Sequence, residues 1–180
     1  MKRIFAVLSP IVAASFLVQA TLAQAPATAC GTDSRNYTFQ TDSDISIPSP
    51  AEGMATLVLI EDQIDDRPGA GACIKCASQL TLGMDGQWIA ATHGFSHTAI
   101  SIPAGDHHFC VSNSPPIVSP DALPAMLGLH VEAGKTYFVR GRLARWEGFA
   151  VLDLTQINED EGRYLVSMSK RSLFTRKVTP

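Results

Sequence analysis

The chain has 180 residues, 46% hydrophobic and 17% charged, and its 14 Lys and Arg against 17 Asp and Glu give a formal net charge of −3. An acidic chain lacks the basic face that a nucleic-acid partner requires, and this length suits one ordinary domain with a core of its own. The chemistry-bearing residues that stand out are 5 histidines and 4 cysteines.

Lys2 and Arg3 form a short positive start, and residues 4–18 are almost wholly apolar. That run suits a secretory signal and is short for a membrane span. Thr21 and Ala23 are the small residues that a signal peptidase reads, so residues 1–23 are expected to be a signal peptide. Ala27-Thr-Ala-Cys30 is a poor lipobox, because a polar, Pro-containing stretch separates it from the apolar core. No later run reaches transmembrane length. The expectation is export to the periplasm or the medium, with no lipid on Cys30.

Residues 24–53 read as a polar N-terminal segment, in which Tyr37-Thr-Phe-Gln40 can add a short strand and Ile47-Pro-Ser-Pro-Ala51 is linker. The β-domain proper is expected over residues 54–169. Residues 54–60 are apolar apart from Thr56, as in a strand buried on both faces. Residues 61–72 form an acidic loop without the alternating ligands and central Gly of a calcium-binding EF-hand. Leu80, Leu82 and Met84 alternate with small residues before Asp85-Gly86, the favoured pair for a type I′ hairpin, and residues 88–91 return. Residues 97–102 alternate again.

Two turn-strand phrases follow: Pro103-Ala-Gly-Asp-His-His-Phe-Cys110 and Val131-Glu-Ala-Gly-Lys-Thr-Tyr-Phe-Val-Arg140. Gly105 and Gly134 are expected to take positive φ in these turns, with Tyr137 anchoring the second strand. Residues 149–157 make one more strand. Asn158 and Glu161 form a capping-box-like start for a short helix over 159–169, which turns Tyr164, Leu165 and Met168 towards the sheet. Residues 170–180 read as a basic, frayed tail. The sum is an all-β protein: a single β-sandwich, immunoglobulin- or transthyretin-like, of about seven strands, with a short C-terminal helix.

In an oxidising compartment Cys30, Cys73, Cys76 and Cys110 read as disulfide cysteines, and four allow three pairings. Cys76 with Cys110, and Cys30 with Cys73, suits the expected strands, although the sequence does not choose. Cys73-Ile-Lys-Cys76 also has redox-pair spacing, but it precedes a strand-like run and not a helix. His107 and His108 point to opposite faces of one strand, so they cannot share an ion. A metal site from His97, His108 and Cys110 would need adjacent strands and a free Cys110; the reading kept is local hydrogen bonding, with no metal and no cofactor. Ser, His and Asp are present without a nucleophile elbow or a phosphate-binding loop, so no catalytic residues are assigned. Among the aromatics, Trp146 sits between Arg145 and Glu147 at an expected hairpin tip and is the candidate partner contact.

The two turn-strand phrases and the closing Asn158-Glu-Asp-Glu-Gly-Arg-Tyr-Leu165 resemble the bacterial domain-of-unknown-function family 2846 over about residues 51–166. Ala29-Cys-Gly31, the Cys73/Cys76 pair and His-Phe-Cys110 resemble an exported subset of that family. The chain departs from its pattern at Ala104 and Phe138. The resemblance implies export and a small β-sandwich, and it brings no activity. The expectation is therefore an exported, non-enzymatic binding or structural module of the cell envelope or medium, with a protein or glycan partner. The alternative is a periplasmic thiol-redox or metal-handling protein using Cys73 and Cys76.

Overall fold

The computed structural model describes residues 30–31, 37–63, 79–114, 125–146 and 149–177. Two sheets face each other. The larger holds β1 (Tyr37–Asp42), β10 (Lys170–Arg176), β5 (Ser96–Pro103), β2 (Met54–Gln63), β8 (Thr136–Trp146) and β9 (Phe149–Ile157), in that order. The smaller holds β4 (Gln87–His93), β3 (Gln79–Met84), β6 (Gly105–Ser114) and β7 (Ala125–Val131), all antiparallel. One helix, α1 (Glu159–Met168), lies between β9 and β10 in the chain. The all-β sandwich with a short C-terminal helix is the observed fold, with ten strands among the described residues in place of about seven.

The apolar run beginning at Met54 forms β2 because it is central. Ala55, Leu57 and Leu59 pack inward with Leu80, Leu82, Phe109 and Val111 of the smaller sheet. Val58 and Ile60 point outward and join Phe138, Ile157 and Val166 under α1. A strand covered on both faces has no use for alternation, so the sequence shows none. β2 runs parallel to β8 and antiparallel to β5, and it extends to Gln63 into the stretch read as loop.

Asp85-Gly86 closes the β3–β4 hairpin, with φ of 49° and 87° respectively. Both values are positive, as a type I′ turn requires. Gly105 and Gly134 have φ of 141° and 78°. Around Gly134, the Glu132 amide donates to the Tyr137 hydroxyl at 2.9 Å, and the Gly134 amide donates to the Met54 carbonyl at 2.8 Å. The turn is thereby tied both to its own strand and to the start of β2.

Three sequence expectations change. Lys170–Arg176 is strand β10 and not a tail, pairing six residues with β1, the short strand expected at Tyr37-Thr-Phe-Gln40. A pairing between two segments so far apart in the chain has no local signature. In α1, Gly162 and Val166 are buried, Leu165 is half-buried, and Tyr164 and Met168 are 63% and 60% exposed. The helix phase is set by Gly162, where an added Cβ would lie 2.3 Å from the Phe138 ring. The third change is the disulfide. Cys30 is joined to Cys110, with Cα atoms 5.4 Å apart, so the Cys76–Cys110 and Cys30–Cys73 pairings do not hold. Phe109 and Val111 face the core, so Cys110 points to the outer face of the smaller sheet. The segment at Cys30 lies against that sheet, with Gly31 packed closely on the indole of Trp88. Cys73 and Cys76 lie outside the described residues.

Candidate functional site

Histidine, carboxylate and hydroxyl groups gather at two places, and each is built from elements far apart in the chain. The first is at the turns joining β3 to β4 and β5 to β6. His107 is buried on the inward side of β6. Its Nδ1 lies 2.6 Å from Asp85 Oδ2, and its Nε2 donates to the Pro103 carbonyl oxygen at 3.0 Å. Asp85 Oδ1 accepts the His108 amide at 2.9 Å, and the Asp85 amide donates to the His108 carbonyl at 3.0 Å. Burial opposes the charge on Asp85, but the His107 ring and the His108 amide outweigh it and hold the carboxyl below its ordinary value. Next to this node, His130 on β7 pairs with Asp106 at 2.7 Å, both largely exposed.

The second place is on the outer face of the larger sheet, where β10 meets β5. His97 is 1% exposed, and its Nδ1 lies 2.8 Å from the hydroxyl of Ser169, the residue that ends α1. Its Nε2 has no hydrogen-bond partner among the described residues. Arg171, paired in register with His97, reaches to Asp42 at 2.6 Å and also to Asp44. The guanidinium of Arg171 and the Asp44 amide hold the Asp42 carboxyl below its ordinary value. The Ser46 amide does the same for Asp44. Burial pushes the His97 imidazole below its ordinary value, and the neighbouring Arg171 charge adds to this.

The residues singled out from sequence are thus dispersed. His97 is on β5 of the larger sheet and His108 on β6 of the smaller, and Cys110 is in a disulfide, so the three do not converge on an ion. Among the described residues no group of three or more His, Cys, Asp or Glu could hold a metal. Gly105 and Gly134 lie in turns near the start of β2 and away from His97. Trp146 closes the β8–β9 ladder opposite Phe149, at the end of the hairpin. Asp42, Asp44, Ser169 and Arg171 carry no mark in the sequence, because nothing local joins residues 42–44 to 169–171. Asp85 is marked in the sequence by its turn geometry alone; its side chain's two hydrogen bonds, to His107 and to the His108 amide, depend on tertiary structure.

Chemically, both places consist mainly of bonds that join separate elements, with His97 Nε2 left over in the second. Ser169 is 7% exposed and donates to the Val166 carbonyl, which does not suit a nucleophile meeting substrate. No protein-family model matches the chain, and no curated protein matches it.

Proposed function

We propose that this chain is an exported, non-enzymatic module of the cell envelope or medium that binds a protein or glycan or serves a structural role. The observation that carries the reading is the Cys30–Cys110 cross-link, which fastens the segment after the expected signal peptide across the smaller sheet. A structural disulfide belongs to an oxidising compartment. The engagement of His107, Asp85, His97 and Arg171 in bonds between strands, a turn and the end of α1 supports a scaffolding role for the polar residues. Among the described residues no helix is long and apolar enough to cross a membrane. The resemblance to family 2846 supports the same reading, and Trp146 at the end of its hairpin is the proposed contact residue.

One observation favours a second reading. With Cys110 joined to Cys30, the Cys73-Ile-Lys-Cys76 pair is left to itself, as a thiol-redox function would need. Fractionation of expressing cells with thiol labelling of unreduced protein separates the two. The module reading expects a chain cut after Ala23, in the periplasm or medium, without reactive thiols. A cytoplasmic, uncut chain contradicts export, and two reactive thiols at Cys73 and Cys76 favour the redox reading.

A further inference from the structure

The attachment of β1 and β10 differs from that of the other strands. The two pair with each other over six residues, from Tyr37↔Arg176 to Asp42↔Arg171. They join the rest of the larger sheet through two residue pairs, Lys170↔Ser96 and Arg171↔His97. By comparison, β2 pairs with β8 over eight residues. The β1–β10 ribbon is therefore a unit of its own, hinged on a short parallel junction. Its inward side adds apolar support: Tyr37 packs edge-on against Phe174, and Phe39 stacks on His93 of β4 at 5.3 Å. A segment held by few ladder bonds opens before the rest of a domain does.

His97 sits in the middle of that junction. The groups facing it are Arg171 from β10, Asp42 and Asp44 from β1 and the residues after it, and Ser169 from the end of α1. On the other side its register neighbour is the apolar Ile60 of β2, followed by Arg140 of β8, which pairs with Glu161 of α1. A second proton on His97 would put a charge in a fully buried position, beside a guanidinium, with its Nε2–H lacking an acceptor among the described residues; the Asp42 and Asp44 carboxylates favour that charge, but burial and Arg171 outweigh them. Burying a charge without a partner is costly.

We propose that the β1–β10 ribbon is an acid-released clasp: protonation of His97 at the junction with β5 frees β1 and β10 while the two layers of the sandwich remain folded. The direction follows from linkage. The docked ribbon favours neutral His97, so its imidazole lies below the ordinary 6.5, and the released form takes up the proton. Docking is complete above that ordinary value and weakens as pH falls below it. Protonation of Asp42 and Asp44, which deprives Arg171 of its partners, acts in the same direction at lower pH. The freed ribbon stays tethered, because α1 leads into β10 and the Cys30–Cys110 disulfide lies just before β1 in the chain.

Amide hydrogen exchange on the isotope-labelled full mature chain, at about pH 7.5 and about pH 5 and corrected for intrinsic rates, tests this. The expected result is a loss of protection of about tenfold at residues 38–41 and 172–175, with residues 57–60 unchanged. The pH dependence should vanish in His97→Gln and persist in His93→Gln. The wild-type profile is decisive without any variant: unchanged ribbon protection, or equal loss in β2, overturns the proposal. Loss of the pH dependence in His93→Gln in place of His97→Gln would place the titrating group on β4 and overturn it as well.

Discussion

His107 and Asp85 show how this chain uses polar residues. One imidazole spans the tip of the β3–β4 hairpin and the end of β5, and one carboxylate receives both that ring and a backbone amide of β6. Replacing Asp85 by Ala leaves the His107 ring and the His108 amide without that partner, at a cost of about 1–3 kcal/mol. The Asp85 carboxyl lies below its ordinary 3.8, so its contribution is complete above that value and is lost as pH falls through its folded value. Denaturant titrations of the wild type and Asp85→Ala should therefore differ at neutral pH and converge in acid; a gap that widens in acid would contradict the assignment. Gly134 makes a second residue-scale case. Its φ is 78°, and nothing lies within 4 Å of an added Cβ, so Gly134→Val is strained by backbone conformation alone. A loss of about 1–3 kcal/mol is expected, each kcal/mol lowering Tm by about 2–4 °C. An unchanged melting curve would show that the turn relaxes without cost.

At the scale of elements, α1 was legible at its start and illegible in its orientation. Asn158 caps it as the sequence indicates, accepting the Glu161 amide at 2.9 Å. The apolar positions Tyr164, Leu165 and Met168 suggested the buried face, yet the face is chosen by the one residue without a side chain, Gly162, which lets the helix settle on Phe138. Gly162→Ala should raise intrinsic helix propensity and still destabilise the protein by about 1–3 kcal/mol, because the added methyl overlaps the ring. A stabilised Gly162→Ala variant, measured by thermal melting, would mean that the helix can lift off the sheet freely. Strands whose signals are local, such as β3 and β4 around Asp85-Gly86, were readable from their alternation and turn. β1 is legible as a short alternating stretch, but β10 and its partnership with β1 are not, because pairing between residues 37–42 and 171–176 leaves no trace in either segment. The polar junction built on that pairing was hidden for the same reason.

For the whole molecule, the architecture is two sheets with a helix over the larger one, fastened across the smaller by a disulfide spanning 80 residues of sequence. Closing so long a loop restricts the unfolded chain, worth about 2–5 kcal/mol. The presence of a disulfide framework could be argued from an export signal and four cysteines; its connectivity could not, since it depends on which face of β6 Cys110 occupies and on where the segment around Cys30 lies. That connectivity underlies the reading of the chain as an exported, cross-linked scaffold. The most direct test is peptide mapping by mass spectrometry on the mature protein, digested without reduction and with free thiols blocked. The expected result is a Cys30–Cys110 cross-linked peptide and a Cys73–Cys76 loop within one peptide. A Cys76–Cys110 or Cys30–Cys73 cross-link, or blocked thiols at Cys30 and Cys110, would contradict it.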